Sequence, residues 1–355
     1  MRSSPFHASL RCLILPLAVA LTVSCGAPER GAPQQEDEEA AEQSPAPAAI
    51  GDIVRVDPRI DALVPVDATV EKLAEGFMFI EGPVWDRRNS RLYFSDVRGN
   101  EVYQWNETDG ASTFLDPVFE GDRTGKRSVS SNGLTLDSEG RLILCEHGNR
   151  RISRLEEDGS RSVLVSTYEG AQLNSPNDAV FASDGSLYFT DPPYGLEGLE
   201  ESTDRQLDFN GVYRLASDGQ LELLVRDQTR PNGIALSPDE TTLYVANSDA
   251  ENKVWMAYDV GEDGVSNARV FYDVNDQTEP GAADGMKVDM SGNLFATGPG
   301  GVWVIAPDGT HLGTIKTGEV TANVGWGDDG RTLYMTSSTS LYRIRLSTEG
   351  HIPGP

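Results

Sequence analysis

Ser175–Gly195 reads SPNDAVFASDGSLYFTDPPYG. An Asn-Asp pair opens an apolar run, Ala179–Ala182; the Ser-Asp-Gly turn at 183–185 follows, then a second apolar run, Ser186–Thr190. Asp-Gly between two such runs is a strong hairpin signal, because Gly accepts the positive φ of the turn. A lone hairpin is marginal in water and needs neighbours to cover its apolar face.

The chain repeats this unit five more times. The copies are EGPVWDRRNSRLYFSD (81–96), NGLTLDSEGRLILCEH (132–147), NGIALSPDETTLYVANS (232–248), DGMKVDMSGNLFATGP (284–299) and NVGWGDDGRTLYMTSS (323–338). From leading residue to leading residue the steps are 51, 45, 55, 52 and 39. That spacing holds the visible hairpin and two further strands, which is the size of a propeller blade. The expected fold is therefore all-β, a six-bladed β-propeller. Val70–Ala74 is a strand without a hairpin of its own, placed to pair with Leu341–Leu346 and close the last blade. Glu101–Trp105, Arg151–Leu155, Gly211–Leu215, Lys253–Tyr258 and Gly301–Ile305 read as outer strands. Two polar insertions, Asp116–Ser130 and Leu196–Asn210, read as rim loops.

Three domains are expected along the 355 residues: 1–25, 26–55 and 56–350. Residues 1–25 carry Arg2 and Arg11 ahead of an apolar run from Cys12 to Val23, the pattern of an export signal too short to remain as a membrane span. Ser24-Cys25-Gly26 resembles a bacterial lipobox, so the expectation is a lipid anchor at Cys25 and a periplasmic or membrane-anchored lipoprotein. Residues 26–55 read as an acidic linker, nearly free of large apolar side chains as far as Gly51 and unable to offset its chain entropy by burial. Of the three cysteines, only Cys145 falls in the propeller. No disulfide framework or Cys-x-x-Cys metal pattern is available, and Cys145 reads as a small buried hydrophobe. The formal net charge is −27; the signal contributes +2 and residues 26–51 contribute −5, which leaves −24 on the body. That excess argues against nucleic acid and anionic membrane surfaces as partners.

The leading residues of the six units are Glu81, Asn132, Asn177, Asn232, Asp284 and Asn323. If each unit's first strand is innermost, these six oxygen-bearing side chains converge on one mouth of the axial channel. Such a shell suits a hard divalent cation: Ca²⁺ first, with Mg²⁺, Mn²⁺ or Zn²⁺ as alternatives. Asn and Asp ahead of Gly or Pro are also ordinary turn formers, so any one position taken alone reads equally as a turn. Glu81 does not fit that description. The return strand of each hairpin brings Asp96, His147, Asp191, Tyr194, Asn247 and Ser248 back to the same mouth. Arg150 and Arg151 have guanidinium groups able to bind a polyol or carboxylate.

EGPVW (81–85), SPND (175–178), RPNGIALSPDE (230–240) and ADGMKVD (283–289) are similar to the signatures of the SMP-30/gluconolactonase/regucalcin-like family. CEHGNRRI (145–152) and FTDPPYGL (189–196) resemble its bacterial gluconolactonase branch. The resemblance runs from about Val70 to Leu346. It implies one catalytic divalent ion, commonly calcium, held by Glu81, Asn177, Asn232 and Asp284. It further implies hydrolysis of a small-molecule sugar lactone, with Asp284 as the proton acceptor. From their places at the mouth, His147 is the second candidate for that role, and Asn132, Tyr194, Arg150 and Asn247 are the candidate substrate contacts. The same family holds phosphotriesterase-like and other ester hydrolases, and a propeller that binds a ligand without turnover is a further alternative. No Gly-x-Ser-x-Gly elbow and no His-Glu-x-x-His pattern occurs in the chain.

Overall fold

In the computed structural model, which describes residues 50–355, each expected hairpin is the inner half of one sheet. Blade 1 is Ile80–Asp86, Arg91–Asp96, Glu101–Asn106 and Gly110–Leu115, antiparallel in that order from the axis outward. Blade 2 runs from Ser131–Leu136 to Arg161–Val165, blade 3 from Ala179–Phe181 to Leu221–Val225, and blade 4 from Pro231–Leu236 to Gly264–Asp273. Blade 5 spans Met286–Val288 to His311–Lys316, and blade 6 spans Thr321–Gly327 to Ser340–Arg345. The inner strands of successive blades touch all the way round, and blade 6 meets blade 1.

Val70–Glu75 pairs antiparallel with Ser340–Arg345 and supplies the outermost strand of blade 6, as expected. The runs read as outer strands are the third strands; each is covered by a fourth, more exposed strand such as Gly110–Leu115. The boundary of the linker also moves. Asp52–Arg55 pairs with His311–Lys316 as a fifth strand of blade 5, so the propeller begins before residue 56. Arg55 then donates to the carbonyls of Val64 (2.9 Å) and Pro65 (2.7 Å), which fixes the turn into blade 6. At the other end the propeller runs past residue 350, because Ile352 is buried in the core. The expected signal, the lipid site at Cys25 and most of the linker lie outside the described residues.

Apolar side chains fill the space between blades. One continuous cluster passes through Phe295, Trp326, Tyr334 and Trp85, across the junction of blades 5, 6 and 1 where chain ends meet. The Trp85 and Tyr334 rings stack there with centroids 5.4 Å apart. Cys145 is free and buried within blade 2, as its strand position suggests. The two long insertions pair with each other. Arg127 N donates to Gly195 O and Glu197 N to Gly125 O, both at 3.0 Å, forming a shared rim over blades 2 and 3.

Candidate metal and active site

Inner strands lose their regularity at the leading residues. In blades 1, 2, 4 and 6 the pairing register slips there: Glu81 faces Ser95 while Val84 faces Tyr93, and Ser131 faces Glu146 while Leu134 faces Leu144. Bulges of this kind re-aim side chains, here toward the axis. Blades 3 and 5 begin regular pairing only after the leading residue, at Ala179 and Met286.

The glycine that follows a leading residue explains how closely the six approach one another. A Cβ on Gly82 would lie 2.2 Å from Asn132 O, one on Gly133 2.6 Å from Asn177 O, and one on Gly233 2.3 Å from Asp284 O. On Gly285 it would overlap the Asn323 side chain. Asn177 Nδ2 donates to Asn232 Oδ1, and Thr190 Oγ1 donates to Asn232 O at 2.6 Å. The ring closes between blades 6 and 1, where a Cβ on Gly325 would lie 2.5 Å from Pro83 O. All six leading residues thus stand side by side around one mouth.

Their polar atoms are out of water and short of partners. Asn132 Oδ1, Asn177 Oδ1, Asp178 Oδ2 and Asp284 Oδ1 are buried with no hydrogen bond. Such atoms cost roughly 1–3 kcal/mol each unless something else binds them. Burial, with Asp284 and Asp178 nearby, pushes the Glu81 carboxyl well above its ordinary range. Burial and Asp178 raise Asp284 in the same way. The donor set fits a hard cation: two carboxylates and carboxamide oxygens, with no sulfur. Asn232 Oδ1, although it accepts from Asn177, keeps a second lone pair. Among the described residues no group of three or more His, Cys, Asp or Glu side chains is set to hold a metal, so any shell here depends on the asparagines.

His147 reaches the mouth from the return strand of blade 2. Its Nδ1 lies 3.1 Å from Ser128 Oγ, and its Nε2 is buried without a partner. Burial pushes its pKa down to about 4, with Arg127 acting the same way and Asn177 opposing, so the ring is neutral near pH 7. Tyr194 hydrogen-bonds Ser248 Oγ, which accepts from Asn232 Nδ2 at 3.2 Å. Tyr194 is therefore joined to the ring through one hydroxyl.

Two expected substrate contacts have other partners. Arg150 is buried, and its guanidinium donates to Leu173 O (2.7 Å), Asn174 O (3.0 Å) and Asp204 O (2.7 Å). It braces the segment entering blade 3 and has no donor aimed at the mouth. Asn247 accepts from Arg230 N at 2.7 Å and donates to Asn252 O at 2.9 Å, which holds the entry to blade 4. Asp96 and Asp191 do equivalent work: Asp96 accepts from Met78 N and Phe79 N, and Asp191 from Asn174 N and Ser175 N. Asp96, Asp191 and Asn247 are clamps on the incoming chain, whereas His147, Tyr194 and Ser248 turn to the site. Arg151 pairs with the buried Glu146 at 3.0 Å.

Asp178 and Lys287 escaped the sequence reading. Asp178 follows Asn177 at the point where four other blades carry glycine, and that substitution was the available signal. Its Oδ2 lies 3.9 Å from Lys287 Nζ.

A six-bladed propeller with a ring of unpartnered oxygens at its axial mouth is the class these features define. The chain belongs to the SMP-30/Gluconolactonase/LRE-like family, whose region matches residues 79–339. It is 39% identical over 315 residues to a gluconolactonase of Zymomonas mobilis, with 85% of this chain and 88% of that one covered. It is 28% identical to a pentonolactonase of Haloferax volcanii over 73% of this chain and 81% of that one. A solved gluconolactonase structure from Xanthomonas campestris superimposes with a TM-score of 0.74 at 33% identity, covering 85% of this chain and 97% of that one.

Proposed function

We propose that this protein is a sugar-lactone hydrolase that depends on a divalent cation, Ca²⁺ foremost. The observation that carries this reading is the ring of buried oxygen acceptors left without partners at the channel mouth. The similarity to the Zymomonas gluconolactonase and the Haloferax pentonolactonase supports the substrate class. Glu81, Asn177, Asn232 and Asp284 would hold the cation. When bound, it polarises the lactone carbonyl and stabilises the developing oxyanion.

The remaining chemistry belongs to the chain. Water adds to the carbonyl carbon, the ring C–O bond breaks, and the proton taken from water is returned to the leaving oxygen as a hydroxyl. Asp284 is the first proton acceptor, its carboxyl being the most open of the ring's carboxylates. The neutral, unpartnered Nε2 of His147 is the second. Asn132 and Tyr194 border the same mouth and are the substrate contacts. An exported location, held to the membrane through Cys25, is proposed from the sequence pattern alone; Cys25→Ser should release the protein into the soluble fraction.

The deciding assay is opening of gluconolactone and pentonolactones, corrected for spontaneous hydrolysis, before and after stripping with a chelator. Activity should vanish on stripping and return with Ca²⁺, and more weakly with the other divalent ions. Full turnover in excess chelator would overturn the reading, and turnover of a phosphotriester alone would reassign the substrate.

A further inference from the structure

Three carboxylates, those of Glu81, Asp178 and Asp284, crowd the mouth, and a divalent cation offsets only two of them. Lys287 lies on the inner strand of blade 5, three residues beyond Asp284. Its neighbours Met286 and Val288 pack into the core between blades, so alternation turns Lys287 to the channel. Its Nζ donates to Met286 O at 2.9 Å and lies 3.9 Å from Asp178 Oδ2. Asp178 belongs to blade 3, so the pair spans the channel past blade 4. Asp178 Oδ1 takes its own strand's Ala179 N at 2.9 Å, which leaves Oδ2 facing the ammonium without a hydrogen bond. Among the described residues no other cationic group comes within 4.0 Å of any of the three carboxylates.

We infer that Lys287 is the counter-charge of the ring: by pairing with Asp178 across the channel it balances the third carboxylate and sets how tightly the ring holds its cation. Lys287 is a positioning residue and touches no reacting atom. This inference rests on the reading of the ring as a cation site. The physical basis is charge fixed in a poorly screened interior, where one unit near a divalent ion changes affinity by an order of magnitude.

The test is calorimetric titration of CaCl₂ into the chelator-stripped full chain. Lys287→Met should tighten Ca²⁺ binding roughly tenfold and Asp178→Asn should weaken it roughly tenfold. The double variant should return to within about threefold of the natural protein, because the two charges act on one ion. Lys287→Arg, which keeps the charge, should leave affinity unchanged. Lys287→Gln carries the same expected sign if the Met variant does not fold. Two single variants that both weaken binding, or neither of which moves it, would overturn the counter-charge role while leaving the cation site standing. A natural protein that binds none of Ca²⁺, Mg²⁺, Mn²⁺ or Zn²⁺ would overturn both.

Discussion

The two ends of each inner hairpin use the same residue types in opposite ways. At the turns, aspartates are satisfied locally: Asp137 accepts from Glu139 N, Arg141 N and Arg141 Nε, Asp184 from Ser186 N, and Asp289 from Ser291 N and Asn293 N. At the mouth, Asn132, Asn177, Asp178 and Asp284 each keep a buried oxygen with nothing to accept. A fold that caps its carboxylates so consistently at one end is able to do so at the other. Leaving them open costs stability, and such a cost persists where a ligand meets it. The same residue types are closed by their own turn at one end of the strand and left open at the other.

Removing a carboxylate at each end gives the sharpest contrast. Asp284→Asn should lower kcat/KM for gluconolactone by roughly 10³-fold, since it takes both a cation ligand and the first proton acceptor. The same variant should raise the melting temperature of the stripped protein, because one of the crowded charges is gone. A stripped protein that melts lower instead would break the comparison.

Gly233→Ala comes next. Its Cβ would sit 2.3 Å from Asp284 O, so the inner strands of blades 4 and 5 must part. We expect a loss of about 3 kcal/mol in denaturant unfolding, with weaker cation binding in whatever remains folded.

The pH response separates the stripped from the loaded state. Glu81, Asp178 and Asp284 have folded pKa values raised above their unfolded values, chiefly by burial. The folded, cation-free protein therefore binds more protons than the unfolded chain. The stability this gives is fully present below the unfolded carboxyl values near 4 and is lost as pH rises through the raised folded values. Stripped protein should melt several degrees higher at about pH 5 than at about pH 8.5. With saturating Ca²⁺ the slope should flatten, because the cation takes the place of the protons; equal slopes in both states would mean that these carboxylates do not face a common ion.

Asp137→Ala is the smallest change and the control. It should cost about 1 kcal/mol of stability through the lost turn and leave lactone turnover within about twofold. A large loss of turnover would show that the two ends of the strand are not independent.

Legibility followed the range of the interaction. Hairpins are set by neighbours in sequence, so the six units and their turns could be read directly; the strand at Val70–Ala74, whose partner is remote, was read from the place that the repeat leaves open in the last blade. The leading oxygens were legible as well, because repetition placed them at one position in every blade. Asp52–Arg55 could not be recognised as a strand, since its partner lies at His311–Lys316 and only that pairing gives it a place. Arg150 and Asn247 looked like substrate contacts because side-chain type and approximate height were all the sequence supplied. Arg150's partner, Leu173 O, lies on the segment that enters the next blade, and Asn247's partner, Arg230 N, opens the inner strand of its own hairpin.

By itself, the sequence determined the repeat, the alternation of each strand and the family to which the chain belongs, since all three are carried by residues close together or by short motifs. Tertiary structure alone decided which polar atoms stay unpartnered, that Asp178 joins Glu81 and Asp284, and that Lys287 of blade 5 approaches Asp178 of blade 3. Electrostatic and hydrogen-bond partnerships depend on distance in space, and in a closed ring the residues that meet at the axis come from different blades, tens of residues or more apart along the chain.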